Sequence, residues 1–177
     1  MIMKLVSLIL SVFFAFSMMA QSTSTKKPQI VISKKYNMML DLMLKRKVPE
    51  ISCAELNSNY NNYIVIDTRE INEYKISHLP NAIHVGYENF NLSKMDKIDK
   101  SSKIVAYCSI GYRSEKIVEK LIQAGYNNVQ NFVGSSFEWA NQSLPLVNSK
   151  NDTVKVIHAY DKMWGRWMTN PDIEKIY

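Results

Sequence analysis

The chain has 177 residues, 46% of them hydrophobic and 21% charged. That is the composition of one globular domain with extra length at its ends, and it excludes disordered, collagenous and low-complexity classes. The net charge of +6 comes from 22 Lys and Arg against 16 Asp and Glu, scattered and mostly Lys, so no nucleic-acid partner is expected. Two Cys cannot form a disulfide scaffold, and no zinc-ligand spacing is present, so no metal is expected.

Residues 1–20 read as a secretory signal peptide: Lys4, an apolar run from Leu5 to Phe16, and the small Ala20 at the cut site. The expectation is a protein exported to the periplasm or beyond, without a membrane attachment after cleavage. Its thiols would then meet an oxidising compartment. Residues 21–47 are expected to be a polar linker followed by an amphipathic helix from Tyr36 to Lys47. Tyr36, Met39, Leu40, Met43 and Leu44 would face inward, with Lys45, Arg46 and Lys47 at the C-terminal end, where the helix dipole favours them. Met38, Met39 and Met43 are read as helix packing. Pro49 stops the helix. Residues 48–149 are expected to form the main domain, and residues 150–177 a C-terminal extension. Ser52 and Glu55 have capping-box spacing for a short helix.

Short apolar runs follow at Tyr63–Ile66, which leads into Asp67, at Ala82–Val85, at Lys103–Tyr107, which leads into Cys108, and at Asn128–Val133. Strands apolar on both faces belong to a parallel sheet covered on both sides. From Ser114 to Ala124 the stripe Ile117, Val118, Leu121 and Ile122 predicts one covering helix, capped by Ser114 and ended by Gly125. The predicted fold is α/β, an open and mainly parallel sheet with helices on both faces. In the extension, Val154–Ile157 is strand-like and Met163–Met168 is aromatic; this tail is expected to pack back on the domain.

Cys108 stands where a buried strand ends and a helix is about to begin, the position at which open α/β sheets bind ligands. A tight loop there turns backbone N–H groups inward and adds the positive end of the next helix, and both lower a thiol pKa. Ser109, Ile110, Gly111, Tyr112 and Arg113 make up that loop. Gly111 permits the turn, and Arg113 adds a fixed positive charge. A thiolate nucleophile and a buried structural cysteine both fit this segment taken alone.

Three motifs in order carry a resemblance to the rhodanese (thiosulfate sulfurtransferase) family. The first runs through Ile66-Asp67-Thr68-Arg69-Glu70, Glu73-Tyr74 and His78-Leu79-Pro80-Asn81-Ala82-Ile83-His84. The second is Cys108-Ser109-Ile110-Gly111-Tyr112-Arg113-Ser114. The third is Phe132-Val133-Gly134-Ser135-Ser136-Phe137-Glu138-Trp139 with Leu144-Pro145-Leu146-Val147. The resemblance implies a single-domain sulfurtransferase with Cys108 as its catalytic cysteine. Cys108 would take a sulfur atom from a small donor, thiosulfate or a persulfide, and pass it to a thiol or cyanide with no cofactor. Ser77 and Ser135 stand where the family commonly has Gly, and Ile110 where some thiosulfate-using members carry a cation. A non-catalytic binding module is the rival from another class. A phosphatase or arsenate-type reductase fits less well, because the loop of the related phosphatases is one residue longer than the four residues between Cys108 and Arg113.

Supporting roles are expected for Asp67, as a hydrogen-bond acceptor beneath the loop, and for Arg69, which with Glu70 is read as an ion pair or as pocket rim. His78 and His84 read as structural. Cys53 reads as a small apolar filler, the alternative being a resolving partner for Cys108.

Overall fold

The computed structural model describes residues 29–177; the expected signal peptide and almost all of the polar linker lie outside the described residues. Five short strands form the central sheet: β1 (Glu50–Ile51), β2 (Ile64–Asp67), β3 (Ile83–His84), β4 (Ile104–Tyr107) and β5 (Val129–Phe132). They lie in the order β1-β5-β4-β2-β3 and every pairing is parallel. Alternate residues of β4 enter different cores. Val105 and Tyr107 join one cluster, Ile104 and Ala106 the other, and none is exposed to solvent. The continuous apolar runs are therefore strands covered on both faces, as their lack of alternation implied.

One face is covered by α1 (Lys34–Met43), α2 (Cys53–Ser58) and α5 (Ser135–Asn141), through Tyr36, Leu40, Leu56, Phe137 and Trp139. The other is covered by α4 (Tyr112–Gln123), through Ile117, Val118 and Leu121. The short helix α3 (Ile71–Ile76) follows β2, and its first turn carries a reciprocal capping box between Glu70 and Glu73. As expected, the Ser52 hydroxyl caps α2 by accepting from the Glu55 amide. β4 continues to β5 on one side and β2 to β3 on the other, so the carboxyl ends of β4 and β2 bound the crevice where such sheets bind ligands.

Beyond β5 come the β6–β7 hairpin (Leu146–Val147, Thr153–Val154) and a ribbon in which β8 (Val156–His158) pairs parallel with β9 (Glu174–Ile176) around the short α6 (Lys162–Gly165). Ile157, Ala159, Met168 and Ile173 are buried with the α1, α2 and α5 core, and β8 packs against α3. The stacked rings of Tyr36 and Trp167, 5.6 Å apart, tie this tail to α1. Val154–Ile157 is thus two strands of different ribbons instead of one.

Several local expectations are corrected. Helix α1 ends at Met43 because Leu44 turns into the core with extended backbone. The basic triplet therefore lies beyond the helix: the amides of Lys45 and Arg46 donate to the Glu115 carboxylate, and Arg46 pairs with Asp41 and Glu50. Met39 packs against the core, but Met38 is exposed and Met43 reaches the crevice. Helix α4 starts two residues before Ser114, whose hydroxyl is buried and donates to Asn131 instead of capping. Ile122, counted in its apolar stripe, is exposed. Gly125, with φ of +90°, ends α4 as expected.

Candidate active site

The loop after β4 is shaped from outside. The Cys108 carbonyl accepts from the Ser136 amide (3.1 Å), that of Ser109 from Phe137 (3.1 Å) and that of Ile110 from Gly134 (3.1 Å); the Gly111 carbonyl accepts from the Asn131 side chain (3.1 Å). Four successive carbonyls are thus engaged outward, three of them by amides of the turn before α5 and its first residues. The loop amides are left to face the sulfur. The Gly111 N–H donates to Cys108 Sγ at 3.2 Å, and the amides of Ile110 and Ser114 also favour the thiolate.

Two backbone positions make this possible. Gly111 has φ of +113°, beside Leu44 and the Phe132 carbonyl. Gly134 has φ of +82°, and a Cβ there would lie 2.6 Å from Val31 and 2.7 Å from Glu138. Ser135 takes a left-handed φ of 50° without being glycine. Its hydroxyl donates to the Phe132 carbonyl (2.7 Å) and accepts from the Cys108 amide (3.1 Å), which compensates the strain. Ser77 has φ of −164°, extended backbone that places no demand for glycine.

Burial alone would push the Cys108 thiol up. The Arg113 charge and the amides of Ser114, Gly111 and Ile110 outweigh it and hold the thiol below its ordinary value. Arg113 is itself held by Glu73, with guanidinium nitrogens 2.6 and 2.8 Å from the two carboxylate oxygens and 3.0 Å from the Ser109 hydroxyl. Glu73 also accepts from Ser109 (3.2 Å) and from the Glu70 amide (3.0 Å). Burial would raise its carboxyl, but the paired Arg113 keeps it below the usual range.

A cavity of about 390 Å³ opens over Cys108. Of the expected loop residues, Ser109, Ile110, Tyr112 and Arg113 line it, while Gly111 lies behind the sulfur. Met43, Tyr87 and the rim carboxylates Glu70 and Glu88 line it as well, and the tail adds Tyr160 and Trp164. Tyr160 sits over the Arg113 guanidinium at 5.3 Å.

Asp67 and Arg69 are not in the cavity wall. Arg69 pairs with Asp67 and not with Glu70: both are sealed from solvent, 2.6 Å apart, and Arg69 also donates to the Ser77 carbonyl. The Asp67 carboxylate accepts from the Arg69 amide and the Tyr107 hydroxyl (2.5 Å), so it supports the end of β4 and not the loop amides. His78 stacks on Tyr74, and one ring nitrogen of each His meets a carbonyl, Tyr74 for His78 and Arg69 for His84. Cys53 is buried and free, and burial pushes its thiol up to about 12.

Sequence reasoning gave Glu73 no role of its own, though it falls within the first motif. It also missed Met43, Tyr87, Glu88, Tyr160 and Trp164. A glutamate just past the strand that ends at Asp67, three residues after Glu70, was the available signal for Glu73; the rest come from distant segments.

The fold is an α/β domain with a buried thiol cradled at the carboxyl end of the central strand of a five-stranded parallel sheet. The model of the rhodanese-like domain matches residues 52–142, and the chain belongs to that family. It is 33% identical over 90 residues to the adenylyltransferase and sulfurtransferase UBA4 of Candida albicans, covering 46% of this chain and 20% of that protein. It is 24% identical over 178 residues to the chloroplastic rhodanese-like domain-containing protein 14 of Arabidopsis thaliana, covering 75% and 80% respectively. The thiosulfate sulfurtransferase GlpE of Coxiella burnetii is 23% identical over 97 residues, covering 55% and 89%. The chain thus spans only a fifth of the Candida protein. Among solved structures, a protein of Bacillus halodurans shares the fold with a TM-score of 0.54 at 24% identity, covering 64% of this chain and 86% of that one. None of the helices among the described residues is long and apolar enough to cross a membrane.

Proposed function

We propose that the protein is a sulfurtransferase that carries sulfur as a persulfide on Cys108. The observation that carries the reading is the thiol lowered by converging amides and Arg113 at the floor of an open cavity. The Cys108 thiolate attacks the outer sulfur of a donor. A sulfur–sulfur bond forms, the bond from that sulfur to the donor breaks, and its electron pair leaves with the donor remnant. A nucleophilic acceptor then attacks the outer sulfur and restores the thiolate. The inward amides of Ile110, Gly111 and Ser114 hold the charge at every stage, each worth about 3 kcal/mol by analogy with an oxyanion hole. Arg113 supplies a field, and Ser109, held by Glu73, keeps Arg113 in register. Tyr112 and Ile110 shape the wall, while Asp67 and Arg69 support the strand end beneath. In this reading residues 48–149 form the catalytic unit, and residues 1–20 direct its export, leaving a mature protein that begins at Gln21.

The test is mass spectrometry of the Cys108 peptide after exposure to thiosulfate or an organic thiosulfonate, beside thiocyanate release on adding cyanide. One added sulfur atom, lost on cyanide treatment and absent from Cys108→Ser, is expected. A folded protein that gains no sulfur from either donor would overturn the proposal.

A further inference from the structure

We propose that Tyr160 and Trp164 of the C-terminal extension select the sulfur donor, favouring a singly charged organic sulfane-sulfur compound with an apolar or aromatic body over inorganic thiosulfate. The inference rests on the sulfurtransferase reading and deepens it.

The cavity, at about 390 Å³, falls in the range of sites for organic ligands and far exceeds what thiosulfate would fill. Its apolar wall comes from Met43, Tyr87, Ile110, Tyr112, Tyr160 and Trp164. Its charge does not suit a dianion. Arg113 is the one cation among the described lining residues and is already bound to Glu73 through both carboxylate oxygens, while Glu70 and Glu88 stand in the same lining. A second negative charge on the donor would meet carboxylates without a free cation to answer it.

The tail holds the two rings by structure of its own. Tyr160 takes φ of +67°, unusual for a bulky residue, and its amide donates to the His158 ring at 3.0 Å. The Asp161 carboxylate caps the following turn by accepting from the Trp164 amide at 2.9 Å. Trp164 packs against the main core, and the parallel pairing of β8 with β9 closes the ribbon. Tyr160 is 51% exposed, so its ring offers surface to a ligand while lying against Arg113.

With an aryl thiosulfonate, the Cys108 thiolate attacks the terminal sulfur. The new bond is Cys108 Sγ to that sulfur, the bond to the sulfonyl sulfur breaks, and its electron pair leaves as sulfinate. No proton, oxidant or reductant enters the step.

The experiment compares kcat/KM of the full chain for benzenethiosulfonate, methanethiosulfonate and thiosulfate, with cyanide as acceptor. The first two donors share a reacting group and differ in body. We expect benzenethiosulfonate to exceed methanethiosulfonate by about tenfold or more, an ordinary discrimination for an apolar pocket, and thiosulfate to be poorer than either. Tyr160→Ala and Trp164→Ala should each cut the aryl preference several-fold through KM, with Tyr160→Phe retaining it. Thermal melting confirms folding; should Trp164→Ala fail to fold, Tyr160→Ala decides alone. Equal use of the two thiosulfonates, preference for thiosulfate, or an aryl preference untouched by Tyr160→Ala would overturn the inference while leaving the sulfurtransferase intact. No sulfur transfer from any donor would overturn both.

Discussion

Arg69 and Arg113 each hold a carboxylate at 2.6 Å, yet Arg69–Asp67 is sealed from solvent whereas Arg113–Glu73 stands against the cavity. The sealed pair fixes the end of β2 to Tyr107 and to the turn at Ser77. In the second pair Arg113 lines the cavity and its charge lowers the Cys108 thiol, while Glu73 holds Arg113 in place. The same ionic chemistry serves the strand end in one place and the Cys108 thiol in the other, and what Arg113 faces beyond its partner decides which. Removing one partner of a sealed pair strands a charge without water. Removing one partner beside a cavity mainly changes the local field.

The largest expected effect is on the sealed pair. Asp67→Asn should cost about 3–5 kcal/mol of unfolding free energy, read by urea denaturation, because Arg69 loses its counter-charge at full burial. The Cys108 alkylation profile of the remaining folded protein should stay near wild type. A large shift in that profile would erase the contrast between the pairs. Arg113→Ala should do the reverse: the pH midpoint of Cys108 alkylation rises, because the largest charge favouring the thiolate is gone, with a smaller loss of stability. An unchanged midpoint would leave the whole effect to the amides. Glu73→Gln sharpens the contrast further. It removes the carboxylate that holds Arg113 and leaves the guanidinium charge to act on the sulfur, so the midpoint should fall, by less than Arg113→Ala raises it. The smallest effect is expected from Cys53→Ser. Its thiol is pushed up to about 12, so native protein at neutral pH should alkylate at Cys108 alone, and the variant should match wild type in rate and stoichiometry.

The strands and the loop were legible because their signals are local. Val65-Ile66, Ile104-Val105-Ala106 and the Cys108–Arg113 spacing are read within one short window, and the parallel pairing follows from the absence of alternation. Helices α3 and α5, of six and seven residues, are too short to show a period, so Glu73 gained no position from sequence. The partner of Arg69 was misassigned to its neighbour Glu70, because sequence adjacency does not show that Asp67 at the strand end points the same way. Least legible was the tail wall. Tyr160 reaches Arg113 from a distant stretch of the chain, through a left-handed turn that no glycine announces.

The loop carbonyls tied to the start of α5 also make the ionised sulfur part of the fold's stability. A thiol held below its ordinary value in the native chain regains that value on unfolding, so between the two the unfolded chain binds more protons and stability rises with pH. The contribution is complete above the pKa of the free thiol, about 8.5, and is lost as pH falls through the native value. A persulfide, more acidic than its parent thiol, keeps that charge at lower pH. Because the persulfide of an unfolded chain is the more acidic too, loading with sulfur would move the pH range of this contribution downward without by itself enlarging it.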